Sequence, residues 1–224
     1  MILRRLGNKK KIAKEMQKHF PPHKIYIEPF FGAGGMFFNK PKAKYNILND
    51  LDSDVFNLFQ VVMNQKEELE KDFYIMPIHS DLLEYWKVNR ETEPIRKALR
   101  FLFLSNFTLM GKGTSMRGSS TEESKQNIDK NIDIVHKHLE YCKLFNYDFV
   151  DLFKTISFRR QSEIDGAFIY ADPPYLGTND NYSNSFNEEK SNELFNTLEE
   201  TGCKFAMSEF DHPFILEQAK QRNL

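Results

Sequence analysis

The chain has 224 residues, of which 40% are hydrophobic and 28% charged, and its formal net charge is −1. At this length folding buries roughly 70–75% of the unfolded chain's surface, so a full hydrophobic core forms without disulfides. No apolar run approaches the ~20 residues of a membrane span, and Cys142 and Cys203 have neither metal nor redox spacing. These features exclude membrane proteins and disulfide-framed secreted proteins, and we expect a cytoplasmic protein.

Charge is unevenly distributed along the chain. The whole sequence has 31 Lys and Arg against 32 Asp and Glu, which by itself predicts no polyanionic partner. Residues 1–24, however, contain eight Lys or Arg residues against the single acid Glu15, so this segment has a net charge of +7 (8 − 1).

The first half of the chain predicts alternating strands and helices. Ser53 has the residue type of a helix N-cap, and Pro94 suits the first position of a helix. The predicted elements are a strand at 24–28, a glycine-rich turn at 31–35 that leads into a helix start, a strand at 44–49, a helix from 53 to about 63, helical pieces within 67–89, and an apolar helix from 94 to about 106.

The second half begins with a different kind of segment, because residues 108–126 are small, polar and glycine-bearing and predict an exposed loop or short hairpin. The later predicted elements are a helix at 128–141, strands at 144–147, 167–171 and 204–208, and helices at 187–201 and 213–223. Strands that alternate with helices predict an α/β fold with a doubly wound parallel sheet. The helical block at 67–141 breaks the alternation, so we expect it to be a subdomain inserted into a domain formed by 1–66 and 142–224.

Three motifs follow predicted strands. The first, residues 28–35 (EPFFGAGG), provides glycines that allow a sharp turn and close approach to a ligand. Gly32 and Gly34 match only the first two glycines of the dinucleotide fingerprint G-x-G-x-x-G, because Phe37 occupies the third position. A tight strand–helix turn without a ligand is the alternative interpretation.

The second motif is Asp50, which closes the next strand 22 residues after Glu28. A nucleoside-binding fold places a carboxylate at this point to accept hydrogen bonds from ribose hydroxyls. Asp52 and Asp54 are better explained as turn or capping residues.

The third motif, Asp172-Pro173-Pro174-Tyr175, follows the strand 167–171 directly. Two consecutive prolines forbid helix and fix φ, so the carboxylate, the carbonyls and the ring are held rigidly at the carboxyl edge of the sheet. Ligands bind at that edge in folds of this class.

Together, in this order, the motifs resemble those of the Dam-type (D12 class, α-group) adenine-N6 DNA methyltransferases, and the resemblance runs from about Arg4 to Phe210. It implies a Rossmann-like methyltransferase sheet, S-adenosylmethionine as cofactor, double-stranded DNA as substrate and an inserted DNA-recognition subdomain. A prokaryotic or phage source is expected, and a restriction endonuclease of the same system is a further expected partner, without a stable complex.

The resemblance also assigns roles to individual residues. Asp172, Pro173, Pro174 and Tyr175 match the catalytic motif. Positions that match cofactor-binding segments of the family are Arg5, Lys9, Glu28, Phe31, Gly32, Gly34, Asp50, Asp148, Phe149, Asp172 and Tyr182. Lys9 could pair with the cofactor's carboxylate or with a DNA phosphate, or it could lie on a solvated basic helix. No metal site is expected.

The sequence departs from the family at three places. Arg5 replaces the usual aromatic residue, so no stacking role is assigned to it, and Ser208-Glu209 replaces the usual Ser-Asn, without an assignable role. Family members usually continue into a terminal antiparallel strand pair, whereas this sequence stops at Leu224. A DNA-binding remnant of the fold without turnover therefore remains an alternative.

The chemistry of these residues predicts direct methylation of an amino group. Asp172 and a carbonyl of Pro173 or Pro174 would accept the two hydrogens of adenine N6 and stabilise the charge that develops on it. Tyr175 would stack on the base, which must be flipped out of the duplex. Cytosine-N4 methylation is an alternative, although those enzymes commonly carry Ser in place of Asp172; cytosine-C5 methylation needs a nucleophilic cysteine after proline, a context that neither cysteine has.

The target sequence is not predicted by these motifs. Within the polar segment the basic residues Lys112, Arg117 and Lys125 are candidate DNA contacts, and an Arg there could bind guanine through two hydrogen bonds. Arg117 is expected to have few internal partners. An ordinary exposed loop is the alternative for each of the three.

Overall fold

The computed structural model describes residues 1–4, 7–118, 120–177 and 186–224. They divide into two compact units, one formed by 1–17, 32–42 and 52–144 and the other by 18–31, 43–51 and 145–224. No helix in the described ranges is both long enough and apolar enough to cross a membrane.

The central element is a five-stranded sheet. Its strands are β1 (Ile25–Glu28), β2 (Tyr45–Asn49), β3 (Lys143–Phe145), β4 (Ala167–Ala171) and β5 (Lys204–Met207), in the order β3-β2-β1-β4-β5. The sheet is all-parallel, and in its centre Ile27 pairs with Ile47 on one side and with Ile169 on the other. Because the chain leaves β1 towards β2 on one side and later places β4 on the other, the order reverses between β1 and β4. Ligands of such sheets bind outside the carboxyl ends of the strands at this reversal.

Helices flank the sheet, which confirms the α/β prediction. The sheet unit contains α7 (Phe149–Thr155), α8 (Gln161–Asp165), α9 (Glu188–Glu200) and α10 (Pro213–Gln221). Side chains of α7 and α9, among them Leu152 and Leu194, pack on one sheet face against Ile27 and Ile169. All five residues of β4 are buried, as expected for the centre of a parallel sheet with both faces covered.

The other unit is helical. Its α-helices are α1 (Ala13–Met16), α2 (Ser53–Asn64), α3 (Lys66–Ile75), α4 (Ser80–Val88), α5 (Pro94–Phe107) and α6 (Thr121–Leu139), with 3₁₀ turns at Lys9–Lys11, Phe37–Asn39 and Leu109–Gly111. Helix α5 begins at Pro94, as predicted, and the side-chain Nδ2 of Asn57 on α2 donates to the Pro94 carbonyl at 2.8 Å. The prediction of one inserted block at 67–141 remains a prediction.

Several sequence predictions about element boundaries are wrong. The N-cap of α2 is Asp52, whose carboxylate accepts from the Asp54 amide at 2.9 Å, so Ser53 is already helical. The glycine turn is followed by a 3₁₀ turn rather than by a regular helix. Helix α6 begins at Thr121 and not near residue 128, because the Ser120 hydroxyl caps it by accepting from the Glu123 amide at 3.2 Å.

Candidate active site

The carboxyl end of β4 presents the Asp-Pro-Pro-Tyr motif. Asp172 follows the strand without a gap, Pro173 is buried, and the Tyr175 hydroxyl donates to Asp172 Oδ1 at 3.1 Å. Burial, followed by the charge of Asp172, raises the pKa of Tyr175, so this phenol stays protonated and remains a donor. The Tyr175 ring meets the ring of Phe210 edge-on, with 4.5 Å between the centroids.

Strand β5 ends beside the same motif. The Ser208 amide donates to the Ala171 carbonyl at 2.9 Å, which extends the strand pairing by one step, and the Ser208 hydroxyl lies 2.7 Å from the Tyr170 hydroxyl. Both hydroxyls are buried. The pKa of Tyr170 is raised, mainly by burial and then by the charge of Asp172.

A second carboxyl group, that of Glu209, follows Ser208. Its Oε1 accepts from the Phe210 amide at 2.8 Å, whereas Oε2 is buried and accepts no hydrogen bond from the described part of the chain. Burial raises the pKa of Glu209; hydrogen bonds from the Phe210 and Leu176 amides oppose that shift, and the nearby charge of Asp172 adds to it. Two carboxyl groups at one sheet edge thus have different environments.

Strand β1 contributes a buried carboxylate. Glu28 is its last residue and is only 2% exposed, and Oε2 accepts a hydrogen bond of 2.7 Å from the hydroxyl of Tyr26, two residues earlier on the same face. Burial and then the Glu28 charge raise the pKa of Tyr26 well above its usual value. The structure therefore places Glu28 next to β4 at the predicted edge of the sheet.

Asp50 follows β2, where its backbone is fixed on both sides. Its amide donates to the Phe145 carbonyl at 3.3 Å, and its carbonyl accepts from the Asn146 amide group at 2.7 Å. The preceding Asn49 is 1% exposed, and its side chain makes three hydrogen bonds of 2.9 Å: Nδ2 donates to the carbonyls of Pro29 and Tyr147, and Oδ1 accepts from the Tyr147 amide. Asn49 therefore holds together the chain segments that follow β1, β2 and β3, a role that the sequence did not indicate for it individually.

Asp148 and Phe149 begin helix α7. Asp148 is its N-cap and accepts from the Val150 amide at 3.0 Å, so one carboxylate oxygen has a structural partner. Phe149 is 3% exposed and packs with Phe30 and Phe186, at centroid distances of 5.7 and 6.2 Å. The amine of Lys190, a residue of α9, lies 5.4 Å from the centre of the Phe149 ring. Sequence reasoning missed Phe186 and Lys190, because nothing in the local pattern indicates a contact 37 or more residues away.

The glycine turn belongs to the helical unit, except for Phe31. Phe31 is buried, and its amide donates to the Asn49 carbonyl at 2.8 Å. Gly32 and Gly34 have φ of +52° and +70°, which disfavours residues with a Cβ, and a Cβ on Gly32 would meet nothing within 4 Å.

Gly35 is required for a different reason. A Cβ there would lie 2.3 Å from Asn8 Oδ1 and 2.9 Å from the Lys9 nitrogen, so only glycine lets the basic N-terminal turn approach this closely. The Lys9 amine donates to the Gly7 carbonyl at 3.1 Å, and Lys9–Lys11 form a 3₁₀ turn rather than a regular helix.

The basic residues of the polar segment do not share one loop. Lys112 is exposed beside the 3₁₀ turn, whereas Lys125 lies within α6 and its amine donates to the carbonyls of Tyr74 and Met76 at 2.9 and 2.5 Å. Arg117 has an internal partner that the sequence did not indicate, since its Nη2 donates to Ser124 Oγ at 3.2 Å. Helix α6 causes both differences, because it begins seven residues earlier than predicted.

Arg5 and Tyr182, both predicted near the cofactor, lie outside the described residues. In the described ranges no group of His, Cys, Asp and Glu side chains has the arrangement of a metal site. Cys142 and Cys203 are buried free thiols, and burial raises the pKa of Cys142 to about 11.

The all-parallel strand order, with its reversal between β1 and β4 and helices on its flanks, defines a Rossmann-like α/β protein. The family model described as "D12 class N6 adenine-specific DNA methyltransferase" matches residues 6–223. The chain belongs to this family, which confirms the resemblance inferred from its motifs.

Individual relatives agree with the family assignment. The chain is 34% identical over 116 residues to a DNA adenine methylase of Serratia marcescens, 33% over 118 residues to one of Haemophilus influenzae, and 27% over 116 residues to one of Escherichia coli K12. Each match covers 49% of this chain and 41–43% of the relative, so the matched segments span less than half of those proteins.

Proposed function

We propose that the protein transfers a methyl group from S-adenosylmethionine to the N6 amino group of adenine in double-stranded DNA. The single observation that carries this proposal is the Asp172–Tyr175 turn at the carboxyl end of β4, where the Tyr175 hydroxyl donates to Asp172. A rigid carboxylate beside two prolines presents acceptors to an amino group, and the family membership supports adenine N6 as that group.

The residues present fit a nucleoside-bearing cofactor. Glu28 and Asp50 bring carboxylates, which are hydrogen-bond acceptors for hydroxyl and amino groups, to adjacent strand ends of the sheet unit. We propose cofactor binding for Glu28, Phe31, Asp50, Asp148 and Phe149, which all lie in the sheet unit. When bound, S-adenosylmethionine supplies a methyl group on a sulfonium that is already an excellent leaving group.

Asp172 and a carbonyl of Pro173 or Pro174 would accept the two N6 hydrogens. The amino lone pair, which is otherwise delocalised into the purine ring, is then directed at the methyl carbon, and positive charge on N6 is stabilised as the new bond forms. The S–CH3 bond would break as the N–C bond forms, so the sulfonium would leave as a neutral thioether, and the proton lost from N6 would pass to solvent. Tyr175 supplies an aromatic face for a base rotated out of the duplex, with its ring held by Phe210.

A cysteine nucleophile is not part of this mechanism. Burial raises the pKa of both thiols, to about 11 for Cys142, so thiolate is scarce at neutral pH. This disfavours methylation at cytosine C5, which the sequence also disfavours.

The basic N-terminal turn supports a DNA substrate. Lys10, Lys11 and Lys14 are exposed, and none of them forms an ion pair with another described residue. Changing all three to Gln should lower the salt slope of DNA binding by up to about 3, equally on target and scrambled duplexes, because each phosphate contact contributes about 0.9. The exposed residues Lys130, Lys137 and Lys220, changed together to Gln, serve as the charge-matched control.

The decisive experiment incubates the purified chain with methyl-labelled S-adenosylmethionine and a random-sequence duplex pool, and maps modified bases. N6-methyladenine in a defined sequence context is the expected product. Detection of N4-methylcytosine instead would show that the substrate base is cytosine. DNA binding without any methylated base would identify a binding module without turnover.

A further inference from the structure

An asparagine side chain joins the segments that follow β1, β2 and β3 at the carboxyl edge of the sheet. The backbone pairing of β2 with β1 ends one residue before Asn49. There the Asn49 side chain continues the connection, because Nδ2 donates to the carbonyls of Pro29 and Tyr147 and Oδ1 accepts from the Tyr147 amide, all at 2.9 Å. The Asn49 carbonyl also accepts from the Phe31 amide at 2.8 Å.

Asn146, which follows β3, makes the reciprocal contact. Its Nδ2 donates to the carbonyls of Asp50 and Leu51 at 2.7 and 3.1 Å. The residue after β3 therefore holds the backbone after β2, while the last residue of β2 holds the backbone after β3. All of these atoms belong to the sheet unit, and Asn49 is buried, so its bonds are shielded from water. Asn49 and Asn146 together are called the asparagine clamp below.

The partners of Asn49 require a primary amide at this position. Two carbonyls can only accept and the Tyr147 amide can only donate, so the side chain must offer two donor hydrogens and one acceptor, as asparagine does. The same partners fix which end of the amide is nitrogen. Aspartate has the same shape but no donor when ionised, and it would place a buried carboxylate against two carbonyl oxygens.

We propose that Asn49 and Asn146 are positioning residues for S-adenosylmethionine. They set the distances between the three segments that carry Phe31, Asp50 and Asp148, each of which is bonded by the clamp or lies next to a residue that is. This inference rests on the proposed function, in which those three residues bind the cofactor. A ligand that contacts several strand ends at once binds more tightly when the segments are already in place, because binding then does not have to order them.

The test measures cofactor affinity in two isosteric variants of strand β2. Asn49→Asp removes both donors of Asn49. Asn46→Asp is the matched control, because Asn46 is also buried and its side chain likewise donates to a backbone carbonyl, that of Ala43 at 2.8 Å, and accepts from the Ala43 amide at 3.2 Å. Asn46 lies three residues from Asn49, about 10 Å along the strand towards its amino end.

Three quantities are measured for each variant. Titration calorimetry gives the Kd for S-adenosylmethionine, denaturant unfolding gives the free energy of unfolding, and methyl transfer to a duplex with the mapped target gives kcat at saturating cofactor and KM for DNA. A residue that only stabilises the fold changes the free energy of unfolding, whereas a positioning residue for the cofactor also changes its Kd.

Asn49→Asp is expected to raise the Kd for S-adenosylmethionine by about tenfold, the scale of one net hydrogen bond. At saturating cofactor kcat and KM for DNA should stay nearly unchanged, because the groups that act on the base are not moved. Asn146→Ala should raise the Kd by a smaller factor, since Asn49 still holds Pro29 and Tyr147. Asn46→Asp should lower the free energy of unfolding and leave the Kd unchanged.

An equal loss of cofactor affinity in Asn46→Asp would show a general effect of destabilising β2 and overturn the proposal. A wild-type Kd in Asn49→Asp would also overturn it, whatever happens to kcat. If Asn49→Asp does not fold, Asn146→Ala decides by the same comparison with Asn46→Asp. A wild-type protein that binds no S-adenosylmethionine would instead refute the proposed function, so the two failures are distinguishable.

Discussion

The carboxyl edge of the sheet and the polar segment 108–126 were both expected to carry function. The sequence predicted which residues end or follow the strands at the sheet edge, but it did not predict the internal contacts of the polar segment. At the sheet edge Glu28 ends β1, and Asp50 and Asp172 directly follow the neighbouring strands β2 and β4, so parallel pairing fixes the backbone there. In the polar segment, Arg117 and Lys125 have internal partners that the sequence did not reveal. Strand pairing fixes the position of a residue at the end of a central strand. The position of a residue in a polar segment depends instead on the helix that it joins or contacts.

The largest effect is expected from removing the carboxylate of Asp172 at the sheet edge. Asp172→Ala should lower the rate of methyl transfer by two or more orders of magnitude, the scale of removing a preorganised polar partner. Single-turnover transfer to the mapped target measures it. Asp151→Ala, which removes an exposed carboxylate paired with Lys154 on α7, is the control and should leave the rate unchanged. Near wild-type transfer by Asp172→Ala would refute the mechanism.

The next effect concerns cofactor binding at the neighbouring strand. Asp50→Ala should weaken S-adenosylmethionine by roughly 1–3 kcal/mol, the scale of a charge-assisted hydrogen bond. Calorimetric titration measures the difference. Asp50→Asn, which keeps one oxygen acceptor, should lose less, and equal affinity in all three proteins would remove Asp50 from the site.

In the polar segment, Arg117→Ala should reduce discrimination between target and scrambled duplexes by about 1 kcal/mol, the lower end of the range for a lost base contact. Its bond to Ser124 makes a control necessary, and Ser124→Ala removes that partner while keeping the guanidinium. Binding to both duplexes across a salt series distinguishes the roles. A uniform loss would assign Arg117 to the DNA backbone, and an equal loss in Ser124→Ala would assign it to folding of the segment.

The smallest effect separates Lys125 from the other basic residues. Its amine caps the carboxyl end of α3, and burial lowers its pKa, so Lys125→Gln should cost about 1 kcal/mol of the free energy of unfolding. The salt slope of DNA binding should stay the same. Denaturant unfolding and a salt titration test both statements, with the exposed Lys130→Gln as the matched control. A lower slope with unchanged stability would return Lys125 to the set of DNA contacts.

The sequence by itself determined the alternation of strands and helices, the strand 167–171, the start of α5 at Pro94 and the identity of the motif that follows β4. These features depend on local physics: hydrophobic runs, the fixed φ of proline and the conformational freedom of glycine. The family followed from the order of the motifs, because each motif has a fixed place in the fold.

Only the tertiary structure decided which side chains support the site. The partners of Asn49 are 20 and 98 residues away, and Ser208 reaches Tyr170 across 38 residues. Such contacts arise from strand order and register, which no local pattern encodes, so neither residue could be assigned from its neighbours in the sequence. The start of α6 at Thr121 depends on a local feature, the Ser120 cap. In a polar segment, however, a capping serine cannot be distinguished by sequence from a loop serine, because the buried face of the helix that follows is what stabilises the helix.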